Sequence, residues 1–379
     1  MKQEEYIEKE RFKRPNRWVY VLLGMIIMMC LGTVYSYSVF RLSIEKIFDV
    51  GTTQSGMPYM IALAFYACFM FITGRYLDRF KPRNVILIGG LLVSLGWLLS
   101  SMTTNILVLT LTYGVISGAG VGIVYGVPMT VVARWFPEKK GLAVGMVLVG
   151  FGLSPLITAP LARTFVEQYG LLTTFQILGL SFGFIIALLS LPFKYPTEME
   201  ISRLKSNKQV AKSSVEINTI SMIRSKSFSA LYINFIIGTT IGLMLIGLTS
   251  SVGTELIGLS PKIVAFLMTV FAAFNGVGRP VFGWLTDKLT SKYAMYLSYG
   301  LITFAAILML FANRESLLLY AISFSIFWFN LGGWLAIAPT TTFALYGTKH
   351  YSQNYGVVFT AYGIGAITGV VTSGILIDL

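Results

Sequence analysis

Apolar stretches long enough to cross a lipid bilayer recur along the whole chain, separated by short polar segments. There are eleven stretches of roughly 19–27 residues, and at about 1.5 Å per helical residue each one can cross a hydrocarbon core of about 30 Å. The predicted spans are Trp18–Phe40, Gly56–Leu77, Asn84–Met102, Ile106–Val132, Gly141–Phe165, Leu171–Leu191, Phe228–Val252, Pro261–Leu285, Tyr293–Ala312, Leu317–Phe343 and Ser352–Ile377. Because only helices and closed barrels satisfy their backbone hydrogen bonds in lipid, this pattern predicts an all-α membrane protein.

The composition excludes most soluble functions. Of the 379 residues, 55% are hydrophobic and 12% are charged, whereas a soluble domain is about one quarter charged. Cys30 and Cys68 lie in apolar stretches and His350 is the one histidine, so a disulfide framework or a metal site has few ligands to draw on. We therefore expect no cofactor and no enzyme activity, since no cluster of nucleophile, base or metal ligands stands out.

The basic residues indicate the orientation in the membrane. Most of the 29 lysines and arginines fall in the N-terminal tail and in alternate loops, and the positive-inside rule assigns these segments to the cytoplasm. The formal net charge of +13 is then a topology signal, and nucleic-acid binding is not needed to explain it. We predict a multi-pass protein of the plasma membrane with a cytoplasmic tail (residues 1–17), two helical bundles (18–192 and 228–379) and a polar cytoplasmic linker (193–227).

A motif in the loop after the second span recurs after the eighth. The segment 74–79 (Gly-Arg-Tyr-Leu-Asp-Arg) corresponds to 283–288 (Gly-Trp-Leu-Thr-Asp-Lys) at an offset of 209 residues, and Gly152 corresponds to Gly363 at an offset of 211. Two halves of like topology are typical of a parallel repeat around a central pathway. The motif Gly-x-x-x-Asp-Arg with basic residues behind it resembles the signature loop of the major facilitator superfamily.

This resemblance covers essentially the whole chain and implies a major facilitator fold of two six-helix bundles. The sixth span, moved by 211 residues, is expected near residues 382–402, so we expect eleven spans in a truncated or incomplete sequence that lacks the last helix. The loop residues expected to bias which side of the membrane opens are Gly74, Asp78, Arg79, Arg83, Gly283, Asp287 and Lys288. In particular, Asp78 and Arg79 are expected to pair across the bundle interface. A solvated loop that only sets topology is the alternative.

Arg279 is a charged residue inside a predicted span. It lies eight residues before Asp287, about 12 Å along the helix and near the middle of the membrane. An unpaired arginine there costs at least about 2.5–3.5 kcal/mol, and we find no acidic residue at that depth. A substrate carboxylate would supply the missing partner, with Asn275 on the same helix face and Pro280 loosening the backbone beside it. The alternative is an arginine that extends to the inner interface.

The pair Arg279-Pro280 resembles that of monocarboxylate transporters and oxalate:formate antiporters, in which the arginine binds the substrate carboxylate. Residues 134–145 and 32–40 resemble the fifth and first helices of the same group. Two departures bear on mechanism. Asn275 stands where animal monocarboxylate transporters have an aspartate, and Tyr362 stands where oxalate-exchanging members are expected to have a lysine. A single cation therefore favours a monocarboxylate such as lactate, pyruvate or formate over oxalate.

Aromatic residues complete the predicted binding site. By resemblance the first, fourth, tenth and eleventh spans line the pathway, and tyrosine offers an apolar face together with a hydroxyl donor. The candidates are Tyr35, Tyr37, Tyr125, Trp328 and Tyr362. Each of them could instead serve plain packing. We interpret Arg41 as an anchor at the outer interface, with a match to a first-helix lysine of the monocarboxylate transporters as the alternative.

Together these features predict a secondary active transporter of small organic carboxylates. We expect it to work as a monomer in the lipid bilayer by alternating access, either as a proton symporter or as an anion exchanger. Three alternatives stay open: an oxalate:formate-type dicarboxylate exchanger, an exporter of another cargo on the same fold, and a membrane receptor or sensor that binds without transport.

Overall fold

The computed structural model describes residues 16–197, 199–200 and 216–378, and this part of the chain contains helices but no strand. The helices are α1 (Trp18–Leu31), α2 (Ser38–Phe48), α3 (Thr52–Tyr76), α4 (Pro82–Ser100), α5 (Ile106–Leu109), α6 (Gly118–Trp135), α7 (Lys140–Tyr169), α8 (Leu171–Ser190), α9 (Thr219–Ile223), α10 (Lys226–Ser251), α11 (Pro261–Leu289), α12 (Ser291–Leu310), α13 (Leu317–Tyr346) and α14 (Tyr351–Asp378). The prediction of an all-α membrane fold is confirmed. Of the predicted tail only residues 16–17 are described, and of the predicted linker residues 193–197, 199–200 and 216–227 are described.

Ten helical segments of the described part are long and apolar enough to cross a membrane, and they match the first ten predicted spans. They include the π-helical turns Thr110–Ser117, which join α5 to α6, and Val252–Leu256, which extend α10. The eleventh predicted span coincides with α14, a helix of 28 residues that is not one of these ten. The count of eleven spans therefore stays a prediction.

The sequence pattern predicts one regular helix for the first span, but the structure divides this span into three segments. α1 ends at Leu31, the tighter 3₁₀ segment Gly32–Ser36 follows, and α2 begins at Ser38. At Gly32 a Cβ would lie 2.5 Å from the backbone oxygen of Phe151 in α7, so only glycine allows this approach. The change of helical pitch alters the directions in which the aromatic residues of this segment point.

Several helix starts follow directly from capping residues. The side chains of Asn105, Ser225 and Ser260 accept hydrogen bonds from backbone N–H groups of the first turns of α5, α10 and α11. Such caps satisfy donors that have no partner within the helix. Gly170 and Gly347 end α7 and α13 with φ of 79° and 83°, a backbone conformation that favours glycine. The sequence thus determines where these spans stop and turn.

The two halves of the chain meet along two seams, one between α7 and α11 and the other between α3 and α14. In the first seam a Cβ on Gly141 would clash with the backbone oxygen of Gly283. In the second seam a Cβ on Gly74 would clash with the backbone oxygen of Ser352. An offset of 211 residues relates Gly141 to Ser352, and an offset of 209 relates Gly74 to Gly283, so the repeat relates the first pair to the second. The internal repeat is therefore visible as related packing at the two seams.

One end of the helices, which we call the basic end, contains most of the described lysines and arginines. It comprises the connections that follow α3, α6, α8, α11 and α13. Its basic residues are Arg75, Arg79, Lys81, Arg83, Arg134, Lys139, Lys140, Lys194, Arg224, Lys226, Lys288, Lys292 and Lys349, together with Arg17 before α1, which bonds to the backbone oxygen of Trp135 at this end. The described cations at the opposite end are Arg41, Lys46, Arg163, Lys262 and Arg314. This distribution gives the bundle a clear polarity.

Candidate functional site

Arg279 lies in α11 at the seam with α7 and has no solvent exposure. Its Nη1 donates to the backbone oxygen of Leu148 at 2.9 Å, and its Nη2 donates to Oδ1 of Asn275 at 3.2 Å. Its Nε has no hydrogen-bond partner. The guanidinium carbon lies 5.7 Å from the ring centre of Phe151, within the range of a cation–π contact. The guanidinium is thus held in place by uncharged groups.

No carboxylate of the described residues forms an ion pair with Arg279. Gly152 explains how the guanidinium can approach α7 so closely, because a Cβ there would lie 2.8 Å from Nε. A buried cation without a counter-charge is costly, since desolvation penalises the charge and its described hydrogen-bond and ring contacts supply no full negative charge. The arrangement can accept an anion that brings its own negative charge.

Asn275 is held on both sides of its amide. Its Oδ1 accepts the hydrogen bond from Arg279, and its Nδ2 donates to the backbone oxygen of Trp328 at 3.1 Å. The indole of Trp328 points elsewhere, since its Nε1 donates to Oγ1 of Thr249 at 3.2 Å and its ring packs at 6.2 Å from that of Phe271. Trp328 therefore reaches the site through its backbone rather than through the predicted side chain.

Three of the predicted tyrosines gather around the arginine. The rings of Tyr35 and Tyr125 each meet the ring of Phe151 edge-on, with centroids 5.1 Å apart in both cases. The hydroxyls of Tyr35 and Tyr362 form a hydrogen bond of 2.6 Å that joins the two halves of the chain. Phe151 connects both rings to the arginine, since its ring centre lies 5.7 Å from the guanidinium carbon. These residues form one aromatic cluster around the guanidinium.

Tyr66, Phe151 and Phe359 also belong to this cluster but are absent from the sequence prediction. The ring of Tyr66 lies 5.1 Å from Tyr125 and 5.3 Å from Phe359, between centroids. The repeat contains the signal that would have identified two of them. An offset of 211 residues relates Phe151 to Tyr362, and an offset of 209 relates Tyr66 to Asn275.

Tyr37 is not brought to the arginine. Its hydroxyl donates to the backbone oxygen of Ser55 at 2.8 Å, and its ring packs against Tyr59 and Tyr113 within the N-terminal half. Nearby, Nε of Arg41 donates to Oγ of Ser55 at 3.1 Å and lies 3.4 Å from the carboxylate of Glu45. This arrangement agrees with the interpretation of Arg41 as a surface anchor at the end opposite the basic end.

Residues 12–370 match the Major Facilitator Superfamily. The chain belongs to this superfamily. It is therefore a multi-pass membrane transporter and not an enzyme, as the sequence analysis predicts. No group of three or more His, Cys, Asp or Glu side chains that could hold a metal ion occurs in the part of the chain that the structure describes.

Named relatives and a solved structure agree with this assignment. The oxalate:formate antiporter of Oxalobacter formigenes is 29% identical over 357 residues, which cover 93% of this chain and 83% of the antiporter. Monocarboxylate transporter 12 of Xenopus laevis is 27% identical over 322 residues, covering 79% of this chain and 69% of that protein. The transporter FucP in its outward conformation has a TM-score of 0.64 at 16% identity, covering 95% and 93% of the two chains. The likeness to FucP shows the fold.

In this superfamily member, Asp287 links the two halves at the basic end. Its carboxylate oxygens accept hydrogen bonds of 3.0 Å from the backbone N–H groups of Gly141 and Leu142, at the start of α7. A helix N-terminus favours a negative charge through its free N–H groups and dipole. Together with the close approach of Gly141 and Gly283, these bonds close the α7–α11 seam at the basic end.

Among the described side chains of the other predicted gating residues, those of Arg79, Arg83 and Lys288 lie at the basic end and make no such bond between the halves. Arg79, Arg83 and Lys288 are exposed, and the cations of Arg79 and Lys288 lie over Tyr76 and Trp284 of their own segments at 5.7 and 4.8 Å. The side chain of Asp78 lies outside the described residues, so its pairing with Arg79 stays a prediction.

Proposed function

We propose that this transporter moves small carboxylate anions across the plasma membrane by alternating access, and that Arg279 binds the carboxylate. The main support is a fully buried guanidinium that has an unused Nε donor and no carboxylate partner among the described residues. A carboxylate can accept two parallel hydrogen bonds from one guanidinium and neutralise its charge. The names of the two relatives point to the same class of substrate.

The chemistry around Arg279 favours one carboxylate group and a short carbon tail. The side chains that surround the guanidinium are aromatic rings, hydroxyls and the amide of Asn275, and this described cluster contains no second cation. A dicarboxylate would leave its second charge beside aromatic rings, which is unfavourable in a desolvated site. We therefore propose a monocarboxylate such as lactate, pyruvate or formate, with an oxalate:formate-type exchanger as the second candidate because of the named relative.

Alternating access requires the two halves to part at each end in turn, and the positive-inside rule assigns the basic end to the cytoplasm. The Asp287 bonds to α7 and the glycine contacts of both seams join the halves at that end. These contacts must separate when the cytoplasmic side opens. Their strength therefore biases the equilibrium between the two states without any contact to substrate.

The test is uptake of radiolabelled formate, lactate and oxalate into liposomes that contain the purified protein. Arg279→Lys and Arg279→Ala should lower uptake by about 100-fold or more, since two charge-assisted hydrogen bonds contribute about 1.5–3 kcal/mol each. Arg163→Ala is the matched control, because this arginine lies on α7 but is exposed at the opposite end. Undiminished uptake by both Arg279 variants would exclude the binding role.

The same liposomes separate the remaining alternatives. Counterflow with and without a pH gradient distinguishes anion exchange from proton symport, because only symport responds to the gradient as a driving force. Accumulation of label distinguishes a transporter of carboxylates from a receptor that only binds them. Competition by lactate, formate and oxalate ranks the substrates, and no competition by any of them would favour another cargo.

A further inference from the structure

Three buried hydroxyls without hydrogen-bond partners lie together at the basic end of the α3–α14 seam. They belong to Tyr351, Ser352 and Tyr355 in the first two turns of α14, which are 0%, 6% and 1% exposed. None of the three hydroxyls has a hydrogen-bond partner among the described residues. A buried hydroxyl without a partner costs about 1–3 kcal/mol. Three such hydroxyls within two helical turns suggest a ligand that binds to them transiently.

The three residues line one small cavity. Its other walls are formed by α3 and α6, where Gly74, Gly122 and Gly126 contribute no side chains. The cavity volume is about 10 Å³, which is room for about one water molecule. The hydroxyl of Thr130 also borders the cavity but donates to the backbone oxygen of Gly126 in its own helix. Among the residues that line this cavity, the fully buried hydroxyls without a hydrogen-bond partner therefore lie on α14.

A row of aromatic rings on α14 joins this cavity to the arginine site. The ring centroids of Tyr351 and Tyr355 are 5.6 Å apart, those of Tyr355 and Phe359 are 5.8 Å apart, and those of Phe359 and Tyr362 are 5.0 Å apart. Tyr362 reaches the arginine site through its bond to Tyr35. The cavity thus lies between the arginine site and the basic end.

The internal repeat does not account for these hydroxyls. The repeat relates each of these residues to the one 211 positions earlier, at the other seam. Those residues are Lys140, Gly141 and Val144. The α7–α11 seam therefore keeps the same close packing without any buried hydroxyl at these three positions. The hydroxyls are a special property of the α3–α14 seam, which indicates a role beyond joining the two halves.

We propose that Tyr351, Ser352 and Tyr355 form a second, cation-free binding station that accepts the carboxylate between Arg279 and the basic end. This proposal rests on the proposed function. Three hydroxyls can donate three hydrogen bonds to the anion without holding it by charge. A pathway needs intermediate sites that are weak enough to release their ligand, and this station provides one after the arginine. The closed seam leaves space for water, and parting of Gly74 from Ser352 widens the cavity for the anion.

Removal of hydroxyls with retention of the rings tests the station. Tyr351→Phe, Tyr355→Phe and the double variant should bind formate as the wild type does in a thermal-shift titration, because Arg279 is unchanged. Formate exchange in liposomes should fall by about tenfold in each single variant and by about 100-fold in the double variant, since each hydrogen bond to a charged group contributes about 1.5 kcal/mol or more. Tyr346→Phe is the matched control, because that tyrosine is also buried but lies outside the cavity lining.

A second measurement uses the smallest member of the station. Ser352→Cys should react with a small anionic thiol reagent added from the basic end, and formate should slow that reaction. Wild-type protein gives the background from Cys30 and Cys68. A thiol at 352 that never reacts, or that formate never protects, would overturn the station.

The outcomes separate this proposal from the proposed function. Wild-type exchange rates in the double variant would overturn the station, as would a loss of formate binding equal to that of Arg279→Ala. Slowed exchange with intact formate binding would support it. Formate binding that survives in Arg279→Ala would instead refute the proposed function, whatever the tyrosine variants do.

Discussion

The fit of Arg279 against α7 depends on the absence of a side chain at Gly152. A Cβ at this position would lie 2.8 Å from Nε of Arg279 and 2.9 Å from the Cα of Gly276, whereas ordinary contacts begin at 3.4 Å. The guanidinium can shift by about 0.6 Å, but the backbone of α11 cannot do so without moving the helix. Gly152→Ala therefore tests the geometry of the site through one methyl group.

The magnitude follows from two opposing terms. Overpacking a tight interface costs about 1–3 kcal/mol, whereas alanine in place of glycine stabilises a helix by about 1 kcal/mol. The displaced guanidinium also loses its 2.9 Å bond to the backbone oxygen of Leu148 or its alignment with the substrate. We expect the KM for carboxylate uptake to rise by about tenfold, the equivalent of one hydrogen bond to a charged group.

Gly300→Ala is the matched control, because Gly300 lies inside α12 and a Cβ there would meet no atom within 4 Å. Both substitutions gain the same helix propensity, so the difference between them isolates the steric term. The assay is formate uptake as a function of concentration, with the midpoint of thermal unfolding measured in the same detergent. If Gly152→Ala keeps the wild-type KM and unfolds no earlier than Gly300→Ala, the described approach of α7 to Arg279 is wrong.

Two further predictions concern the partners of the arginine. Asn275→Asp introduces a carboxylate where Oδ1 now lies 3.2 Å from Nη2 of Arg279, so formate affinity should fall by about tenfold at neutral pH and recover as the new carboxyl is protonated at lower pH. A pH-independent affinity in a titration series would contradict this reasoning. Tyr35→Phe and Tyr362→Phe each remove the 2.6 Å bond between the halves, so a double-mutant cycle on thermal stability should give a coupling energy of about 0.5–1.5 kcal/mol. A coupling near zero would mean that the bond contributes nothing.

The pattern of the sequence was sufficient for the features that depend on composition and period. The spans follow from hydropathy, the related seams follow from the repeat, and Arg279 stands out because a charge inside an apolar helix is rare. The contacts of Arg279 with Leu148 and Phe151 could not be predicted from the sequence, for two different reasons. A backbone oxygen acceptor has no residue identity to recognise, whereas Phe151 required the repeat to be applied residue by residue.

Helix geometry explains why the side chains of two aromatic candidates lie away from the arginine. Tyr35 and Tyr37 are two residues apart, and such residues point to different sides of a helix. Of the two, Tyr35 lies at the arginine, while Tyr37 bonds to Ser55 at the far end of the N-terminal half. For Trp328 the sequence identified the right turn of α13, but the rotation of that helix directs the indole to Thr249. Rotation about a helix axis is determined by packing, which hydropathy does not encode.

The repeat preserves the backbone of the two seams and varies their chemistry. A Cβ on Gly145 would lie 2.5 Å from the backbone oxygen of Arg279, and a Cβ on its repeat partner Gly356 would lie 3.3 Å from the backbone oxygen of Met70, the partner of Arg279. One seam thus has the cation and the other has a methionine. The bond from Arg279 to Leu148 crosses the α7–α11 seam.

This asymmetry has a consequence for the transport cycle. Opening along the α7–α11 seam breaks the bond from Arg279 to Leu148, because that bond joins the two halves. Opening along the α3–α14 seam leaves both hydrogen bonds of the guanidinium intact, since neither Leu148 nor Asn275 belongs to those helices. Because both seams must part when the basic end opens, the cost of that opening falls mainly on the α7–α11 seam, where the bond to Leu148 and the Asp287 bonds cross between the halves.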